Sequence, residues 1–320
     1  MSSTQAVAIK PASARNRYNG IALLAGYLAV YAAMLLAMRR EGHFDVTEPL
    51  LVLTILGFGF SLAAWLLTLR VRPLEYSIKE PKKELAALLA YMLPVVAFVT
   101  WGLGLLHRYI PAGPENSIAV LAAKLIVCVV IPAGIMRAQF GYSLDGLAPM
   151  AARTRHVLAT LSMSVLLLAF QAVLGRGLRD IASAHLPAST LWFGFPLVFL
   201  WLALEAGVVE EFFFRVLLQS RLSAVVKSEL GGIVLMSLIF GLAHAPGLYL
   251  RTGLTQEGLP AHPSLLMAVG YSIVVTSVAG FFLGVLWART RNFALVVVVH
   301  AMGDLLPNLL PTLRSLRLLG

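Results

Sequence analysis

Six side chains in the second half of this 320-residue chain are of types that move protons, and they sit where such types are costly. Glu205, Glu210, Glu211, His244, His300 and Asp304 all fall inside long apolar stretches. The other acidic residues lie in tails, loops or the ends of such stretches, as do His43, His107, His156, His185 and His262. A charge in mid-bilayer costs about 2.5–3.5 kcal/mol even on the lenient insertion scale, so such groups face a bundle interior and tend to have a task. Their spacing is ordered. Glu211 and Arg215, Phe240 and His244, and His300 and Asp304 are each four apart, which puts each pair on one helix face. Glu210 and His244 both stand seventeen residues from Lys227, roughly 25 Å along a helix. His300 and Asp304 follow Arg291 by nine and thirteen residues, so three helices can bring all five groups to similar depth.

Glutamate and histidine around one water can hydrolyse an amide. A carboxylate in a low-dielectric cavity becomes a useful general base, and Arg215 limits the repulsion between the two glutamates. An imidazole N–H can donate to the tetrahedral oxyanion. The same groups, Glu210, His244 and His300, could instead hold zinc, since two or three His or carboxylate ligands plus water make a catalytic site. Plainer readings exist for the parts. Glu211 with Arg215 can be an ordinary ion pair, Glu205 can pair with Lys124 or line a cavity, and Phe212–Phe214 and Phe240 can serve packing. They do not account for carboxylates and imidazoles converging on one depth.

The elements that must position these groups are membrane helices. The chain is 59% hydrophobic and 12% charged, with mean hydropathy +0.85, where soluble domains carry about 25% charged residues. Ile21–Met38, Pro49–Leu69, Leu85–Leu106, Val157–Leu174, Leu191–Val209 and Leu265–Ala288 are each long enough to span a bilayer and free of Lys and Arg. Ile118–Met136, interrupted by Lys124, is a seventh, and the shorter Gly231–Ala245 and Phe293–Leu306 bring the count to eight or nine. Barrel strands would alternate apolar with polar, which these blocks do not. The expected fold is an all-α polytopic bundle.

The net charge of +10 reads as orientation and not as nucleic-acid binding. With nine spans and the N-terminus inside, 15 of the 25 Lys and Arg fall on the inner side and 8 on the outer, following the positive-inside bias. Arg39 and Arg40 fall against it. A single cysteine, Cys128, excludes an intramolecular disulfide and a thiolate metal cluster. The segments Arg70–Glu84 and Arg137–Arg155 read as a surface loop and a stretch along the membrane surface. Residues 1–17 form a basic tail with no cleavage site expected, 18–155 a membrane region of undefined role, 156–310 the region holding all the buried acids, and 311–320 a C-terminal tail.

Glu210-Glu211-Phe212-Phe213-Phe214-Arg215 matches E-E-x-x-x-R, Phe240–His244 matches F-x-x-x-H, and His300–Asp304 matches H-x-x-x-N/D. In that order on successive apolar helices, they resemble the CPBP intramembrane proteases, the family of CAAX prenyl endopeptidases and bacteriocin-processing proteins. The resemblance covers about 156–310. It implies that Glu210 and His244 activate the water, that Glu211 and Arg215 support them, and that His300 and Asp304 stabilise the oxyanion. Val216 stands where that family often has Gly. Asp304 stands in place of Asn, and an ionised Asp cannot donate to an oxyanion. Asp304 must then be protonated, orient His300 or bind metal.

Other membrane proteases fit less well. There is no H-E-x-x-H, Gly141–Asp145 departs from G-x-S-x-G at its last place, and Ala301 stands where G-x-G-D needs its first Gly. Two other classes remain: a proton-coupled transporter using these groups as a relay, and a non-catalytic membrane scaffold. The partners implied are the bilayer and a membrane-associated protein or peptide, whether a CAAX tail, an anchored peptide, a leader or a sorting signal. The location implied is a cell membrane, the bacterial inner membrane for a chain with 19 Arg and 6 Lys, or an endomembrane in a eukaryote.

Overall fold

The structure, a computed structural model, describes residues 14–41, 44–250 and 259–319. Lys10 of the basic tail and His43 lie outside the described residues. Every regular element among the described residues is helical. Nine helices there are long and apolar enough to cross a membrane: α1 Tyr18–Glu41, α2 Thr47–Leu67, α3 Pro81–Tyr109, α4 Pro114–Phe140, α5 Thr154–Leu174, α6 Ala188–Val226, α7 Glu229–Leu250, α8 Leu265–Thr290 and α9 Phe293–Ser315. In lipid each must satisfy its own backbone, which is why hydropathy alone marks them. The chain is a multi-pass membrane protein built as an all-α bundle.

Several helices run past the bounds read from hydropathy. α6 continues through the charged motif to Val226, because Glu211, Arg215 and Gln219 are buried against protein rather than lipid. α7 and α9 carry Pro246, Pro307 and Pro311 internally. The donor a proline lacks can be compensated by a neighbouring helix. Gln171 on α5 does this near Pro307, donating to Met302 O at 2.8 Å and accepting from Leu306 N at 3.3 Å.

Hydrogen bonds define two ends of the bundle. At one end Leu74 N donates to Thr290 O (3.0 Å), Asn292 Nδ2 to Ala151 O (2.7 Å) and Arg155 Nη1 to Arg70 O (2.7 Å). At the other, Arg317 Nη2 donates to Ala112 O (3.0 Å). The largest apolar cluster draws on both halves of the chain, from Phe60 and Leu88 to Trp287 and Val299. α8 and α9 are the most enclosed spans.

The segment Arg70–Glu84 is not a plain surface loop. Val71, Leu74 and Ile78 are buried, and Glu84 is wholly so. Glu84 accepts from Arg221 Nε at 2.9 Å, from the Tyr142 hydroxyl at 3.0 Å and from the backbone N–H groups of Lys79 and Glu80. Arg221 also donates to the Tyr76 hydroxyl and to Val216 O. Burial pushes the Tyr76 and Tyr142 phenols above their ordinary values, so both serve as neutral donors. Arg221 and Arg291, counted above as loop charges, are enclosed: Arg291 pairs with Glu229 and donates to Ser220 Oγ.

Candidate active site

The motif Glu210–Arg215 lies where α6 leaves regular α-helical pairing. Ala203–Val208 and Glu211–Gln219 are π-helical, a local underwinding that occurs disproportionately at functional sites. Aromatic packing fixes this stretch from three sides. Phe212 meets Phe293 of α9 with centroids 6.0 Å apart, Phe213 meets Tyr91 of α3 at 6.3 Å, and Phe214 meets Phe240 of α7 at 5.2 Å. The packing reading of these phenylalanines therefore stands. Gly207 lets α6 and α9 close on each other: a Cβ there would sit 3.0 Å from Val297 O and from Val297 Cγ1.

That close approach places His300 over the glutamates. His300 Nδ1 donates to Glu211 Oε1 at 2.7 Å, since a carboxylate only accepts. Its Nε2 lies 3.4 Å from Asp304 Oδ2 and 3.9 Å from Glu210 Oε2. On α7, His244 Nδ1 donates to Phe240 O at 2.7 Å, which leaves Nε2 as the lone-pair nitrogen of the neutral ring. That Nε2 stands 4.0 Å from Glu210 Oε2. Glu210 thus faces two imidazole nitrogens, each too far for a direct hydrogen bond and close enough to share a water.

Glu211 and Arg215 lie behind this group, both fully buried, with Arg215 Nε 3.3 Å from Glu211 Oε2. The Arg215 guanidinium also sits over the Phe240 ring, 4.5 Å from its centroid. Among the described residues, none of its three nitrogens has a hydrogen-bond partner. Glu205 is apart from the cluster and pairs with Lys124 of α4.

Glu210 and His244 open into a chamber of about 960 Å³. Part of its wall comes from the first half of the chain, including Met92, Val95, Val99, Lys124 and Cys128. Nothing in the sequence singles out Met92, Val95 and Val99, which look like any lipid-facing positions. Glu84 and Gln171 were missed for a different reason: each is a polar residue beside or inside an apolar block, and that signal was present.

For a metal, the donor types suit zinc, and both imidazoles are oriented through Nδ1 as ligating histidines commonly are. The spacing does not. Bonds of about 2.0–2.1 Å in a tetrahedral site put neighbouring donor atoms roughly 3.4 Å apart, whereas Glu210 Oε2 stands 3.9 and 4.0 Å from the two nitrogens. Among the described residues no three His, Cys, Asp or Glu are close enough together to hold an ion.

A polytopic helical bundle with a glutamate–histidine cluster opening into an intramembrane chamber defines a class, that of membrane proteins with a buried cluster of proton-exchanging side chains. Within that class, residues 192–306 match the family model described as type II CAAX prenyl endopeptidase Rce1-like. The match spans every motif residue from Glu210 to Asp304 and bears out the resemblance to the CPBP and CAAX proteases. It supports a CAAX-type intramembrane protease in general. No curated protein and no solved structure matches the chain.

Proposed function

We propose that the protein is an intramembrane endopeptidase that hydrolyses a peptide bond of a membrane-associated protein or peptide with a water held by Glu210 and His244. The observation that supports this most directly is the 4.0 Å gap between Glu210 Oε2 and His244 Nε2 at the chamber wall. A water in that gap can give one proton to the carboxylate and one to the imidazole lone pair, which turns an oxygen lone pair toward the substrate carbonyl. Glu210 takes a proton as the oxygen attacks, and returns it to the leaving nitrogen when the tetrahedral intermediate collapses.

His300 Nε2 carries a proton only in the imidazolium form, and in that form it is the donor facing the developing oxyanion. Glu211 and Asp304 orient that ring from opposite sides, and Arg215 holds Glu211. Asp304 is then a positioning residue, with no need to donate itself. The region 18–155 supplies chamber wall, and 156–310 supplies the chemistry.

Purified protein in detergent, incubated with membrane-protein substrates, tests this reading against a transporter or a scaffold. Cleavage is expected with the native chain and not with Glu210→Gln. Near-normal turnover by Glu210→Gln overturns it.

A further inference from the structure

We propose that the chamber receives its substrate from the extracytoplasmic side, so that the substrate class is a membrane-anchored polypeptide whose cleavable segment lies at that face. This rests on the protease reading of the same site and adds a direction to it.

The two ends of the bundle fix the geometry. The end that gathers segments 70–83, 137–155, 221–228 and 289–292, together with the start of α1, belongs to the side that holds 15 Lys and Arg in the sequence. The opposite end, with segments 110–113 and 175–187 and the turn after α9, belongs to the side that holds 8. The excess of Lys and Arg near span ends marks the cytoplasmic side. Removing the buried Arg221 and Arg291 from the count leaves the same sign.

The chamber is lined from the second of these ends. Its walls reach from mid-bundle, at Met92, Cys128 and Gly303, toward that end, through Val99, Lys124, Thr276 and Asn308. Its rim is made of Arg176, Asp180, Pro260 and Pro307, all exposed. Toward the basic end the way is closed. Every residue of α6 from Glu211 to Ser223 is buried, and Leu286 and Trp287 of α8 are fully so. A polypeptide reaches Glu210 past the rim and not through that plug.

Single-cysteine accessibility tests the direction without needing turnover. Cys128 is the chain's one cysteine, so Cys128→Ser gives a silent background. Into it go Gly303→Cys in the chamber, where a Cβ meets only Leu167 Cδ1 at 3.9 Å, Ser183→Cys at the proposed outer end and Lys82→Cys at the basic end. A membrane-impermeant maleimide is applied to bacterial cells with a permeabilised outer membrane, and to inverted inner-membrane vesicles. Labelling of Gly303→Cys and Ser183→Cys in the cells, with Lys82→Cys labelled in the inverted vesicles, is expected. Labelling of Gly303→Cys from the inverted side, or from neither side, overturns the proposal. Peptide mapping supplies the second arm. Peptides that depend on native Glu210 should derive from segments facing outward. If they derive from cytoplasmic segments, the direction fails while the protease reading survives; if none depends on Glu210, the protease reading fails while the labelling result stands.

Discussion

Replacing Arg215 and Arg221 by leucine separates two buried arginines that look alike in sequence and differ in surroundings. Both are fully buried and both pair with a glutamate. Breaking a buried ion pair by removing one partner costs about 3–5 kcal/mol, because the other charge is stranded. Arg221→Leu strands Glu84, which keeps only a tyrosine hydroxyl and two backbone N–H groups, and it also strips a donor from Tyr76 and Val216 O. The cost should lie at the upper end, about 5 kcal/mol. Arg215→Leu leaves Glu211 with its 2.7 Å bond from His300, and removes a guanidinium whose nitrogens have no hydrogen-bond partner among the described residues. Its loss should lie at the lower end, about 3 kcal/mol, part of it the contact with the Phe240 ring. Activity should sort the other way. The folded fraction of Arg221→Leu should retain turnover, while Arg215→Leu loses it, since no cation then offsets the repulsion between Glu211 and the neighbouring Glu210. Chemical denaturation in detergent, with turnover normalised to folded protein, reads both. Equal stability losses, or normal turnover in folded Arg215→Leu, would refute the reasoning.

His244→Ala should abolish cleavage as Glu210→Gln does, and the double variant should be little worse than either single one, because groups acting on one water are not additive. Multiplying losses, measured by kcat/KM, would mean that the two residues act on different atoms. Asp304→Asn should retain activity, and a strong chelator should leave the native enzyme unchanged, if Asp304 only orients His300. Near-stoichiometric zinc by metal analysis, lost together with activity on chelation, would overturn the metal-free arrangement of Glu210, His244 and His300.

The spans, the depth of the buried acids and the pairing of Glu211 with Arg215 were legible in the sequence, because bilayer thickness and helical pitch are fixed lengths that print directly onto residue spacing. The pairing of Glu205 with Lys124 was one of the two readings that the sequence left open, and it is the one the fold adopts. Helix ends were less legible. The apolar block ends at Val209 while α6 runs to Val226, since hydropathy cannot distinguish a charge entering water from one entering a protein interior.

The rest belongs to tertiary structure. That Glu84, near the end of a charged stretch, is paired with Arg221 across 137 positions follows from which helices pack together, and no local pattern carries that. The same holds for the chamber wall lent by α3 and α4, whose apolar residues look alike whether they face lipid or a cavity. Which nitrogen each imidazole turns inward was decided by its acceptor. His244 bonds to Phe240 O within its own helix, while His300 bonds to Glu211 on another. Sequence set the residue types and their depth; only the packing of α6, α7 and α9 set the angular placement that brings both Nε2 atoms to Glu210. Depth depends on counting along one helix, whereas direction depends on how several helices are rotated against one another.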